Sequence, residues 1–269
     1  MFQEIESSGF SQTGPIREEN QDAIRMQADT LASGRGRLYA VADGIGGYAH
    51  GGIASALALE KLFETFYGER GAPALKRLRR GLEAANLGVY QTAQRLGVGR
   101  MGTTLTAAHV LGDRLYLAHV GDSRAYLIRG GRATCLTEDH TVVGDLVRMK
   151  VLAPEKVRAH EQRSVLTRSL GLKLFVNPDL SEHTLKNDDR LLLCSDGVWA
   201  VIEDEEFARL AAEARGSEAL AQAILNLALE RHTDDNVSVI AVHLRRLAPR
   251  LAEQKGRRGW SWAGFRRSR

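Results

Sequence analysis

Five carboxylate positions in this chain stand where apolar runs begin or end. Asp43 closes RLYAVAD, Asp196 closes DRLLLCSD and Asp122 closes RLYLAHVGD. Asp234-Asp235 stands directly before NVSVIAV, and Asp22, with Arg17 just upstream, precedes a short apolar segment in REENQDAI. A carboxylate at the end of a buried strand is costly unless something compensates it. For a single Asp-Gly, turn chemistry is explanation enough, because both residues are common turn formers. For four or five such sites, a shared cation is the more economical reading. The ligands would all be oxygen, with no His or Cys at metal-binding spacing beside them, which selects Mg2+ or Mn2+ over zinc. Several carboxylates converging on hard cations equip a two-metal centre for in-line attack at phosphorus.

The glycines after Asp43 admit a second reading. Gly44-Ile-Gly46-Gly-Tyr-Ala49 fits the dinucleotide fingerprint G-x-G-x-x-G/A, after a strand and before a helix. Against it, Asp43 would face the pyrophosphate and repel it. Gly97-Val-Gly99-Arg-Met-Gly102 satisfies the same pattern after a helix and before a strand, the wrong way round. No Gly-Lys pair exists for a phosphate-cradling G-x-x-x-x-G-K-[ST] loop, and Ala200 and Thr141, six positions after the two cysteines, exclude a C-x5-R thiolate loop.

The elements that must position these residues follow from periodicity. Ala56, Leu59, Phe63 and Phe66 give a helix over 53–67; Leu75, Leu78, Leu82, Ala85, Val89 and Leu96 give another over 73–96, with Pro73 at its start. The period then changes. TTLTAAHVL and RLYLAHVGD flank Gly112-Asp113, and RAYLIR and RATCLT flank Gly130-Gly131, predicting two β-hairpins. Residues 141–160 suggest short helical pieces. LSEHTL and DRLLLCSD predict strands, 203–214 and 217–231 a second helical pair with Ser217 as N-cap, and NVSVIAVHL a last strand. Hairpins in runs and helices in pairs argue for α+β with antiparallel sheets, which further disfavours a dinucleotide fold built from β-α-β units.

At 269 residues with 43% hydrophobic residues, the chain can bury a large core. The net charge of +4 is uneven: from Arg245 onward nine Lys/Arg face one acidic residue, +8, which leaves −4 for residues 1–244. We therefore divide the chain into a domain over 1–244 and a basic, flexible tail over 245–269. Trp260, Trp262 and Phe265 interleave the tail's charges, so a membrane surface or a partner could meet it, while a solvated end is the simpler reading. Cys135 and Cys194 lie in apolar strand-like runs and fit reduced core thiols; with no signal peptide at MFQEIESSGF, a cytoplasmic protein is expected.

The segments IREENQDA, VADGIGG, GTT (102–104), VGDSRAYL, LTEDHT, LTRSLG, LLLCSDGVW and DDNVSVI, in this order, resemble the bacterial metal-dependent serine/threonine protein phosphatases of type 2C. The resemblance runs from about residue 14 to 240. It implies two antiparallel sheets packed as a sandwich with helical pairs outside, and a phosphatase domain over 1–244. It implies that Asp43 bridges two core Mn2+ or Mg2+ ions with the Gly44 carbonyl as a further ligand, and that Asp196 and Asp235 complete one of them. Asp22 would orient water, Asp122 would help hold a third, weaker ion with Asp196, and Arg17 would clamp the substrate phosphate, a task that suits its planar fork of donors. The implied reaction is direct hydrolysis of phosphoserine or phosphothreonine in proteins by a metal-bridging hydroxide, without a covalent phosphoenzyme, reversing a bacterial Ser/Thr kinase. The expected protein is a monomer, with no nucleic-acid partner.

Three positions depart from the family. Gln21 stands where many relatives have Glu, Gly52 replaces a frequent Glu, and Ile45 occupies the place of a histidine proposed as general acid in eukaryotic relatives. His50 is read as an exposed loop residue, His140 as a hydrogen-bonded structural histidine, and 141–165 as the family's mobile flap. Competing readings are a catalytically inactive regulatory relative, disfavoured because Asp43, Asp196 and Asp235 all remain, a small-molecule phosphoesterase, and nucleic-acid binding through the tail.

Overall fold

The structure, a computed structural model, describes residues 3–27, 35–46 and 50–247. One sheet has the order β1-β11-β10-β7-β8, formed by β1 (Glu4–Gln12), β7 (Arg124–Arg129), β8 (Arg132–Cys135), β10 (Asp189–Cys194) and β11 (Val237–Arg246). The other has the order β2-β3-β5-β6-β9, formed by β2 (Asp22–Gln27), β3 (Arg37–Gly46), β5 (Leu105–Leu111), β6 (Arg114–Val120) and β9 (Asp179–Thr184), with β4 (Met101–Thr103) paired to the end of β3. All the pairings are antiparallel.

Strand alternation makes the sandwich. In β3, Tyr39 and Val41 enter the core between the sheets while Leu38, Ala40 and Ala42 face the helical pair α1 (His50–Gly68) and α2 (Ala74–Leu96). In β10, Leu191 and Leu193 point inward, and Leu192 and Cys194 point to α5 (Asp204–Glu213) and α6 (Ser217–Glu230). The result is the helix–sheet–sheet–helix layering expected from the resemblance. Both hairpins form as expected; Gly130 and Gly131 turn the second with φ of 57° and 75°, values that favour glycine.

Two local expectations are corrected. Ser217 is the first helical residue of α6 and Gly216 occupies the cap, with no side-chain capping bond. The strand β11 runs on through Arg246, Arg245 pairs with Glu6, and Leu247 is buried, so the basic stretch starts inside the sheet. The remainder of the tail, 248–269, lies outside the described residues. Segment 141–160 contains α3 (Val142–Arg148) and one 3-10 turn, Pro154–Lys156, and a four-residue helix, α4 (Asp196–Trp199), follows β10. Among the described residues no helix is long and apolar enough to cross a membrane.

Candidate metal centre

The two sheets each bring carboxylates to one end of the sandwich. In the second sheet, antiparallel pairing of β2 with β3 sets Asp22 directly opposite Asp43. The Gly-Thr-Thr segment then fixes the Asp43 backbone: the Thr104 N–H and the Thr103 hydroxyl each donate to the Asp43 carbonyl at 2.8 Å, and the Asp43 N–H donates to Thr104 Oγ1 at 2.9 Å. In the first sheet, β10 ends one residue before Ser195, Asp196 opens α4, and Asp235 stands just ahead of the neighbouring β11. Ser195 ties the sheets together. Its N–H donates to the Ser238 carbonyl at 3.0 Å, and its hydroxyl crosses to Asp22 Oδ2 at 2.7 Å. Asp122 lies in the connection from β6 to β7, where the chain passes from one sheet to the other.

Two glycines mark close backbone approaches. A Cβ on Gly44 would lie 2.2 Å from the Gly51 carbonyl oxygen, and one on Gly197 would lie 2.1 Å from the Asn236 carbonyl oxygen. Neither position tolerates a side chain, and the Asp-Gly pairs are thereby explained as packing as well as turn chemistry.

Asp43, Asp122, Asp196 and Asp235 line one cleft of about 780 Å3, together with Arg17, Gly44 and Ile45. Asp22 is buried behind this lining. Burial, followed by repulsion from Asp22, Asp196, Asp122 and Asp235, holds the Asp43 carboxyl well above the usual carboxylate range. Burial and then Asp196 do the same to Asp122. Asp196 is pushed up to about 7 by burial, Asp235 and Asp22, with a hydrogen bond to Asp43 opposing the shift. Asp22 is pushed up to about 6 by burial, against hydrogen bonds from Ser238 and Ser195. Asp22 Oδ1 and Asp196 Oδ1 are buried with no hydrogen-bond partner. Among the described residues no three acidic, His or Cys side chains stand close enough together to hold a metal ion as they are placed; the carboxylates ring an open cleft. Carboxylates that repel one another, with orphaned oxygens, nonetheless have the donor chemistry of a hard-cation site, since an added positive charge relieves both costs.

Arg17 sits at the mouth with its guanidinium half exposed, and Nη2 donates to Asp235 Oδ2 at 2.6 Å. Its partner is therefore a carboxylate of the centre itself, which the sequence did not suggest. Asn236 was also missed. Its Oδ1 accepts from the Gln21 N–H at 2.8 Å and its Nδ2 donates to the Glu19 carbonyl at 2.9 Å, so it pins the loop bearing Arg17 to the start of β11. The only signal was an amide beside paired aspartates. Trp199 was missed likewise: its indole N–H donates to the Asp122 carbonyl at 2.8 Å, and the Arg124 guanidinium lies 3.6 Å from the ring centroid.

The departing positions fall as follows. Ile45 and Gln21 both line the cleft. A Cβ on Gly52 would meet nothing closer than 3.7 Å, so no crowding demands glycine there. His50, expected as an exposed loop residue, is instead the partly buried first residue of α1, and it is not among the cleft-lining residues. His140 is buried; its Nδ1 accepts from the Gly121 N–H at 3.0 Å, which leaves the proton on Nε2 to face Asp179 Oδ2 at 3.0 Å, and burial lowers its pKa. That is the structural role expected of it. From the segment 141–165, Ser164 and Val165 reach the cleft wall, next to Leu166.

Comparisons with known proteins agree with this geometry. The sequence model of the family described as Protein phosphatase 2C matches residues 7–237. The serine/threonine protein phosphatase PstP of Mycobacterium tuberculosis is 37% identical over 232 residues, 86% of this chain, but the chain spans only 43% of that relative's length. The protein phosphatase PhpP of Streptococcus pneumoniae is 34% identical over 206 residues, covering 75% of this chain and 82% of the relative. Among solved structures, M. tuberculosis PstP superposes with a TM-score of 0.81 at 34% identity, covering 90% of this chain and 99% of that one. The PstP catalytic domain in complex with two manganese ions gives 0.78 at 32% identity, covering 89% and 97%. Matched over most of its length by the family's sequence model and by relatives of this identity and coverage, the chain belongs to the protein phosphatase 2C family.

Proposed function

We propose that this chain is a metal-dependent protein phosphatase that hydrolyses phosphoserine and phosphothreonine in proteins, opposing a Ser/Thr protein kinase. The observation that carries the reading is the convergence of Asp43, Asp122, Asp196 and Asp235 at one cleft with Asp22 buried behind them, where burial and mutual repulsion raise the pKa of several of these carboxyls. Asp43, Asp196 and Asp235, with the Gly44 carbonyl, would hold two Mn2+ or Mg2+ ions, and Asp122 with Asp196 a third, weaker one. When bound, such ions acidify water and offset charge at phosphorus. Two manganese ions in the related PstP domain support the choice of metal. The kinase follows from the substrate, since a phosphoserine or phosphothreonine protein is a kinase product.

The chain's own groups do the rest. Asp22, fixed at Oδ2 by the Ser195 hydroxyl, lies behind the cleft lining with Oδ1 unpartnered, so its role would be to accept a hydrogen bond from a water held there and orient it. Arg17 spends one N–H on Asp235 and has others to place on phosphate oxygens, which both positions the ester and offsets its charge. Ile45 donates no proton, so the leaving oxygen must take one from water or from another group of the cleft.

The test is phosphate release from a phosphothreonine peptide in Mn2+ or in EDTA, for wild type and Asp196→Ala. Turnover that requires metal and collapses in the variant is expected. Turnover in EDTA, or an unimpaired variant, would overturn the reading.

A further inference from the structure

The loop that follows the cleft wall carries apolar side chains the core does not use. Leu170 is paired with Thr103 of β4 through N–H···O bonds of 2.8 and 3.1 Å. The next residues, Gly171-Leu-Lys-Leu-Phe175, are then held by one side chain. Asn86, buried in α2, accepts from the Gly171 N–H at 2.9 Å and donates to the Lys173 and Leu174 carbonyls at 3.0 Å each. A buried amide in an amphipathic helix satisfies its hydrogen bonds here on the loop. Gly171 takes φ of +86°, which favours glycine and lets the chain turn at this point.

The side chains this loop presents are solvent-facing. Leu172 lines the cleft and leans over Gly102, where a Cβ would stand 3.3 Å from it; Gly102 is the cross-strand partner of Ile45. Leu172 therefore continues the apolar lining from Ile45 outward. Leu174 is close to half exposed and Phe175 is 84% exposed. Ile16 and Val165 also line the cleft and are also exposed, Ile16 at 67%. Single exposed apolar residues need no explanation, but three that line an acidic cleft, with two more following Leu172 on a hydrogen-bonded backbone, do.

We propose that Leu172, Leu174 and Phe175, together with Ile16 and Val165, form the docking surface for apolar residues flanking the phosphoresidue of the protein substrate. The inference rests on the phosphoprotein phosphatase reading above. Continuity with the cleft identifies the occupant: a phosphoserine or phosphothreonine side chain is short, so its backbone must lie across the mouth and its neighbours along the rim. Leu172 to Phe175 spans at most about 10 Å, which corresponds to about three residues of extended substrate. Apolar side chains within about four positions of the phosphoresidue are the matching feature. Because Asn86 fixes the backbone in advance, docking there orders little that was free.

The test uses the full chain with Mn2+ and four substrates: p-nitrophenyl phosphate, a phosphothreonine peptide with Leu or Phe flanking the phosphoresidue, and the same peptide with those positions Ser or Lys. Wild type should favour the apolar peptide about tenfold in kcat/KM, the scale expected for one apolar contact in a specificity site. Leu174→Ser/Phe175→Ser should bring the two peptides within about twofold while leaving p-nitrophenyl phosphate turnover unchanged. Phe175→Asp should shift preference toward a Lys-flanked peptide, and both substituted positions are exposed, so the fold is retained. A wild type without preference, or a preference intact in the double variant, overturns the docking surface. Dimer dissociation in the double variant with the peptide ratio unchanged also overturns it and assigns the patch to a second copy of this chain. Failure of wild type on p-nitrophenyl phosphate as well as both peptides would instead overturn the phosphatase reading, and this proposal with it.

Discussion

Replacing Asp196 by asparagine should stabilise the metal-free protein at pH 8, and by clearly less at pH 5. Burial, Asp235 and Asp22 raise the Asp196 carboxyl from 3.8 to about 7. The folded chain thus holds this proton more tightly than the unfolded one; that stability is full below pH 3.8 and is lost as the pH rises through about 7. A shift of this size corresponds to about 4 kcal/mol. Asp196 is only half-buried as a residue, and it shares the repulsion with Asp235 and Asp22, so removing one charge recovers about half, or about 2 kcal/mol. For a domain of this size that is about 4–8 °C in Tm. Asparagine is isosteric with the protonated acid, so the gain should shrink to about a third of its pH 8 size at pH 5 and vanish below about pH 3.8, where both states of the wild type hold the proton. On the metal-site reading Mn2+ should reverse the order: wild type should gain stability from binding, and the variant, lacking a proposed ligand, should gain less. Thermal unfolding of both proteins at pH 5 and 8, in EDTA and in Mn2+, measures all four terms. A variant less stable than wild type at pH 8 in EDTA, or a gain of the same size at both pH values, would refute the picture of an electrostatically strained centre.

The same protons bear on affinity. A cation must displace them from Asp22, near 6, and Asp196, near 7, so Mn2+ should bind about tenfold or more tightly at pH 8 than at pH 6 with proton release in calorimetry; a flat profile would contradict this. Gly197→Ala drives a Cβ to 2.1 Å from the Asn236 carbonyl oxygen and should cost about 3 kcal/mol or more by denaturant unfolding, whereas Gly52→Ala, with no atom inside 3.7 Å, should be neutral or slightly stabilising. Trp199→Phe leaves the buried Asp122 carbonyl without its indole donor and should cost about 1–2 kcal/mol in the same assay. With Ile45 in the cleft, turnover of aryl phosphates should fall steeply as the leaving-group pKa rises, and Ile45→His should flatten that dependence.

The helices and hairpins were legible because periodicity carries them. Leu78, Leu82, Ala85 and Val89 keep the spacing of one helical face, and all four are fully buried against the second sheet's outer surface. The strand β1 was not legible. Glu-Ile-Glu-Ser-Ser-Gly-Phe-Ser-Gln has two apolar side chains, and the segment is a strand because its backbone pairs with β11 over most of its length. Edge pairing of that kind is decided by the partner and leaves little trace in residue type. The capping error at Ser217 has a similar origin: Gly216 takes the extended geometry a cap requires, and the neighbouring serine enters the helix. The aspartates stood out because each ends or precedes an apolar run. The groups that hold them did not, since Thr104, Ser195 and Asn236 are the residue types any turn would use.

The distribution of these groups also says what assembles the centre. Asp22 and Asp43 belong to one sheet, Asp196 and Asp235 to the ends of strands in the other, and Asp122 to the connection between them. Neither sheet alone holds the set. Ser195, donating across the seam to Asp22, and Asn236, binding the Glu19–Gln21 loop, fix the relative position of the two halves by hydrogen bonds between residues more than 170 apart in sequence. Face-to-face packing of Tyr39, Val41, Leu191, Leu193, Ile240 and Val242 supplies the apolar burial that holds like charges together. Loosening that inner core should therefore weaken metal binding before it unfolds the chain, because the carboxylates would separate as soon as the packing that opposes their repulsion gave way.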